Sequence, residues 1–165
     1  MTRAVVAFAG KMGSTRGIAE AVGEELRHHG LTVDVCDVRA VSSVEDYDAV
    51  VLGSAVYAGR WRREAARFLK RNIPELSERS VWLFESGWIG KRPDDPAATS
   101  GGRRRALRIG SASPTVFGGR LDPARATGPV DRMVARGKSG DFRNWEEIRA
   151  WAAAIADTLV TAEHR

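Results

Sequence analysis

A chain of 165 residues suggests one domain, spanning 1–165, large enough to bury a real core. Hydrophobic residues at 43% and charged residues at 28% exclude disordered and fibrous classes, and a net charge of +5 licenses no more than mild attraction to anionic partners. A single cysteine, Cys36, rules out an internal disulfide framework and fits a reducing, cytoplasmic setting.

Arg3 to Ala9 reads as a buried strand, from its short continuous apolar run. That run is too short for a signal peptide, and no stretch of about 18 apolar residues exists, so no transmembrane segment is expected. Gly10 to Thr15 forms a loop rich in glycine and hydroxyls. Ser14 is placed to cap a helix over Thr15 to His29, with Ile18, Ala19, Val22 and Leu26 as its buried stripe and Gly30 ending it. Leu31 to Val38 is a second strand and Asp37 to Asp46 a polar connection. Asp48 to Gly53 is a third buried strand, followed by a loop from Ser54 to Gly59. Arg60 to Asn72 reads as a helix with Trp61, Ala65, Phe68 and Leu69 on one face and Arg62, Arg63, Arg67, Lys70 and Arg71 on the other. Pro74 stops it. Ser80 to Glu85 is a fourth strand and Ser86 to Gly90 a third loop. Residues 91–110 hold two prolines, two adjacent glycines and six basic residues against two acidic, and read as a long, mobile, basic loop. Ser113 to Phe117 is the fifth strand. Between Leu121 and Gly140 only one or two helical turns, at Val130 to Arg136, are suggested. Asn144, with Glu147 three positions on, opens a helix to about Thr161 that buries Ile148, Ala152, Ile155 and Leu159.

This alternation predicts an α/β, doubly wound, five-stranded parallel sheet of order 2-1-3-4-5. In such sheets ligands sit at the carboxyl ends of the strands, where the three loops fall. The first loop joins a strand to a helix start. Backbone N–H groups and the positive end of the helix dipole converge there on an anion, most often a phosphate. It is not a nucleotide P-loop, since Met12 follows Lys11 and no glycine stands at the required upstream spacing. Arg103-Arg104-Arg105 lacks interleaved aromatics, so no nucleic-acid partner is expected. His28, His29 and His164 stand apart from any Cys/His cluster, so no metal is expected. No His, Cys or paired-carboxylate constellation appears, and no catalytic residue is assigned.

Several segments carry a resemblance: the loop Gly10-Lys11-Met12-Gly13-Ser14-Thr15, the run Asp48-Ala49-Val50-Val51-Leu52-Gly53-Ser54 with Tyr57-Ala58-Gly59, and Ser86-Gly87. Val116-Phe117-Gly118-Gly119 and Asp141-Phe142-Arg143-Asn144-Trp145-Glu146 complete it. The chain resembles flavodoxin-like proteins, and more narrowly the flavodoxin-domain branch that includes bacterial menaquinone-dependent protoporphyrinogen oxidases. The resemblance implies FMN. By it, Gly10, Lys11, Met12, Gly13, Ser14 and Thr15 would cradle the ribityl phosphate. Ser54, Ala55, Val56, Tyr57, Ala58 and Gly59 would flank the ring, with Tyr57 stacking and the Ala58-Gly59 peptide near the flavin N5. Ser86, Gly87, Trp88, Ile89 and Gly90 would pack on its other side.

The chain departs from the family pattern at Gly10, where relatives carry Ser or Thr, and at Met12, where His or Thr is common. Glu85 and Trp88-Ile89 replace a commoner Ser and Pro-Leu, and a carboxylate at Glu85 near a flavin would disfavour an anionic reduced form. The implied function is an FMN-dependent oxidoreductase passing electrons between a small or hydrophobic substrate and a quinone or other acceptor. The alternatives are a non-catalytic carrier docking an acidic redox protein, a deazaflavin (F420) variant, and a protein that kept the fold without a flavin.

Overall fold

The computed structural model describes residues 2–10, 13–88, 97–121, 140–141 and 143–164. Its centre is a parallel sheet. β1 (Arg3–Ala9) lies between β2 (Thr32–Asp37) and β3 (Ala49–Tyr57), which turns back through the two-residue β4 (Arg60–Trp61). β5 (Ser80–Trp88) pairs with β3, and β6 (Thr115–Gly118) with β5. The order β2-β1-β3-β5-β6 is the expected 2-1-3-4-5 once the hairpin strand β4 is set aside. A separate antiparallel pair joins β7 (Arg120–Leu121) to β8 (Gly140–Asp141).

Strands buried on both faces need helices on both. Val6, Phe8, Val51 and Phe84 pack toward α1 (Ser14–His28) and α5 (Trp145–Glu163), against Ile18, Leu26, Ile148 and Ile155. Their neighbours Val5, Ala7, Val50 and Leu83 face α2 (Arg63–Arg71), α3 (Ile73–Ser77) and α4 (Ser100–Ile109). Gly53 has a packing reason: the Phe84 ring lies over it, and a Cβ there would fall far inside van der Waals contact. Phe84 in turn meets Phe117 and Trp151, at ring separations of 6.0 and 5.8 Å.

The structure corrects several boundaries. β3 extends to Tyr57, and the expected loop from Ser54 shrinks to the Ala58-Gly59 turn. The helix expected from Arg60 begins at Arg63, because Arg60 and Trp61 pair with β3. Pro74 opens α3 rather than ending structure, as its fixed φ allows in a first turn. β5 likewise runs through Ser86 and Gly87 to Trp88. The expected loop over 91–110 contains α4, and residues 91–96 lie outside the described set, as do the turns suggested at 130–136.

The helix α4 forms despite Gly101-Gly102 because of a buried carboxylate. Glu85 is 1% exposed and accepts from Trp61 Nε1 and Thr99 Oγ1, each at 2.7 Å, and from the Thr99 N–H at 2.9 Å. The Thr99 hydroxyl accepts from the Gly102 N–H at 3.0 Å, which caps the helix. A Cβ at Gly102 would intrude on the Glu85 carboxylate, so the glycine that weakens the helical pattern is what lets the helix seat. Ala106 and Ile109 complete its buried stripe.

Two stability measurements check this packing. Glu85→Ala strands the buried Trp61 donor and two partly buried Thr99 donors and lowers stability by about 3 kcal/mol in urea denaturation; a midpoint like that of the parent protein would contradict the hub. Gly53→Ala forces the Phe84 ring aside and costs about 1–3 kcal/mol by the same assay.

Candidate functional site

The carboxyl ends of β1, β3 and β5 lie side by side. Ala9 pairs with Ser54 and Ser54 with Glu85, and Ala55 pairs with Ser86. The first and third expected segments meet: Ser14 Oγ and Ser86 Oγ lie 3.5 Å apart, and both side chains are buried.

The helix α1 begins on a left-handed Gly13, φ 82°, a conformation glycine reaches without penalty. The cap is therefore Gly13 and not Ser14, whose hydroxyl turns toward Ser86. No side chain caps this end. The backbone bond from Gly17 N–H to Gly13 O, 3.2 Å, closes the first turn, which leaves the N–H groups of Ser14, Thr15 and Arg16 without helical acceptors. The first turn carries no acidic residue. Thr15 is fully buried, and its Oγ1 has no hydrogen-bond partner among the described residues. A buried hydroxyl without a partner costs free energy unless a ligand supplies one. Gly10 belongs to this arrangement: a Cβ there would lie 2.8 Å from both Thr15 Cβ and Oγ1, so any side chain at 10 would push Thr15 away.

Arg143 adds a cation that the sequence reading did not assign to the site. Its Nη1 lies 3.5 Å from Ser14 O, and its guanidinium stacks on Trp145, 4.5 Å from the ring centre. Nothing local pointed to it, because it is 129 positions from Ser14; the nearest signal was its place beside the Asn144 cap of α5.

In the second segment the roles divide. Ser54 is fully buried, donates to Ala55 O at 2.9 Å and accepts from the Arg62 N–H at 2.9 Å, so its hydroxyl holds β3 to the start of α2. Ala55 is buried, and Val56 and Tyr57 are half-buried. Ala58, φ 50°, and Gly59, φ 73°, form the exposed two-residue turn, with both φ values positive as a tight hairpin demands. In the third segment Ser86 and Gly87 are strand residues, and Trp88 pairs with Gly118. Lys11, Met12, Ile89 and Gly90 lie outside the described residues. Glu85 faces α4, on the side of the sheet opposite Ser86, with its carboxylate committed to Trp61 and Thr99.

Burial pushes the Cys36 thiol up, and Asp34 adds to the rise, which leaves it a poor nucleophile. Among the described residues no group of three His, Cys, Asp or Glu is placed to hold a metal, and no helix is long and apolar enough to cross a membrane. The arrangement is an uncapped helix start beside an exposed hairpin turn and a serine-bearing strand end.

Three comparisons bear on this geometry. Protoporphyrinogen IX dehydrogenase [quinone] from Escherichia coli K12 is 24% identical over 94 residues, which cover 56% of this chain and 52% of that protein. The chain thus spans about half the length of the curated relatives it matches. Oxidised flavodoxin 2 from Bacillus cereus superposes with a TM-score of 0.65 at 19% identity, over 94% of this chain and 99% of its own. The rubredoxin oxygen:oxidoreductase of Desulfovibrio gigas gives a TM-score of 0.65 at 16% identity, over 98% of this chain and 37% of that one. The profile of the flavodoxin domain matches residues 5–132, across both the start of α1 and the hairpin. With this match over most of its length and the 2-1-3-4-5 sheet, the chain belongs to the flavodoxin domain family.

Proposed function

We propose that the chain binds FMN at the carboxyl edge of β1, β3 and β5 and works as an oxidoreductase. Electrons would pass between a small or hydrophobic substrate and a quinone or other acceptor. The observation that carries the reading is the buried, unpartnered Thr15 hydroxyl at the uncapped start of α1. Thr15, Ser14 and the first-turn N–H groups would hold the phosphate, with Arg143 adding positive charge. Tyr57 and the Ala58-Gly59 turn would flank the ring on one side, and Ser86-Gly87 on the other. FMN, when bound, supplies the redox chemistry; the chain binds it, orients it and limits water around it. The acceptor class follows the E. coli relative, whose name includes a quinone.

A carrier role is the second reading, favoured by the exposed Arg63, Arg67, Lys70 and Arg71 of α2. It makes association with an acidic redox protein fall steeply with salt, which the enzyme reading does not require.

The purified protein should show a two-band flavin absorption spectrum and release FMN on denaturation. A single deazaflavin band points instead to F420, and a colourless protein that FMN does not reconstitute contradicts the proposal. Replacing Ser14 and Thr15 together by Ala should weaken FMN binding by at least about tenfold, since each hydroxyl bonds a charged group. Unchanged affinity places the phosphate elsewhere.

A further inference from the structure

Beside the Ala58-Gly59 turn a groove of about 510 Å³ opens between the hairpin and the first turns of α4. That size falls within the range of small-molecule sites. Arg60 and Trp61 line one wall, and Ser100, Gly101, Arg104 and Arg105 the other. The lining holds three guanidinium-bearing residues and no carboxylate.

The groove is built rather than incidental. Trp61 is held by its hydrogen bond to Glu85, 2.7 Å, and Arg105 lies over its ring, 5.2 Å from the centre. Arg105 also folds back over the helix start: a Cβ at Gly101 would come within 2.8 Å of its Nη1. The first turn of α4 has no acidic residue of its own; the nearby carboxylate is that of the buried Glu85, whose oxygens are engaged by Trp61 and Thr99, so Arg60, Arg104 and Arg105 face the groove as its charge. Burial, and then repulsion from Arg104 and Arg108, holds the Arg105 pKa below the usual guanidinium value. Among the described residues the ion pairs engage Arg3, His29, Arg39 and Arg62, and none reaches Arg60, Arg104 or Arg105. Like charges gathered around one concavity lower their energy when an anion enters it.

We propose that this groove is a second anion subsite, which takes a carboxylate or phosphate group of the molecule that reacts at the neighbouring strand ends. The planar forks of Arg60, Arg104 and Arg105 suit both oxyanions, and an organic acid or phosphate ester is the class of substrate it selects. The inference rests on the flavin reading only for what lies across the Ala58-Gly59 turn; anion binding in the groove does not require it.

The test is a titration of the uniformly ¹⁵N-labelled full chain with phthalate and, separately, pyrophosphate, at about 150 mM salt so that diffuse attraction is screened. It is run on FMN-free and on FMN-loaded protein. The proposal expects saturable shifts of the Gly59, Ser100 and Gly101 amides, with the same affinity in both forms. Arg60 and Arg104 are exposed, so Arg60→Ala and Arg104→Ala leave the fold intact, and each should weaken binding by about tenfold. The tighter of the two probes identifies the oxyanion. Absence of saturation, or shifts spread over every arginine-bearing surface, overturns the proposal. So does loss of anion binding when FMN is added, which assigns the groove to the cofactor phosphate. If FMN does not bind at all, the FMN-free titration still decides the groove, and the two readings fail separately.

Discussion

The edge of the sheet where the ligand loops gather depends on one buried carboxylate. A carboxyl group out of water costs free energy unless its oxygens are hydrogen-bonded, and Glu85 meets that requirement with three donors from two other elements. Through Trp61 it fixes the short return strand β4, and with it the Ala58-Gly59 turn. Through Thr99 it fixes the cap of α4. Next along β5, Ser86 points to the opposite face and reaches Ser14 at the start of α1. Two consecutive residues of one strand therefore join both helix layers to the same edge, a direct use of the two-residue period of a strand.

The charge pattern at the helix starts follows the same division. Helices α2, α3 and α5 each carry an acidic residue in the first turn, the usual complement to the dipole. The helices α1 and α4 carry none. Those two begin at the site edge, on opposite faces of the sheet; at α4 the Glu85 carboxylate from β5 sits on the Thr99 cap, whereas no side chain caps α1. One start is lined by hydroxyls and backbone N–H groups, as a phosphate site requires. The other is lined by arginines beside a groove. The first would hold the cofactor's phosphate, and the second an anionic group of the separate molecule that reacts beside it.

Much of the fold was legible because buried parallel strands write themselves as continuous apolar runs, as in Ala4 to Ala9 and Ala49 to Leu52. The capped start of α5 was equally plain, and Asn144 does accept from the Glu147 N–H at 3.1 Å. What the sequence hid were features set by distant contacts. Gly101-Gly102 argued against a helix on propensity, but a carboxylate from β5 needs the space a side chain would fill. Glu85 read as a charge near a flavin because a polar residue at a strand end looks exposed; Trp61 and Thr99, which bury and bond it, lie 24 and 14 positions away. Ser14 read as a cap by residue type, while the left-handed Gly13 moved the cap back by one. Arg143 reaches the site only because α5 packs alongside α1.

The central claim is that the start of α1 holds a phosphate, and a comparison of two ligands tests it most directly. FMN and riboflavin share the ring and ribityl chain and differ only in that group. Quenching of their fluorescence on binding to the purified, cofactor-free protein reads both affinities. The account predicts that FMN binds at least about 100-fold more tightly, from charge-assisted bonds to the Ser14 and Thr15 hydroxyls and backbone. Equal affinities would contradict it.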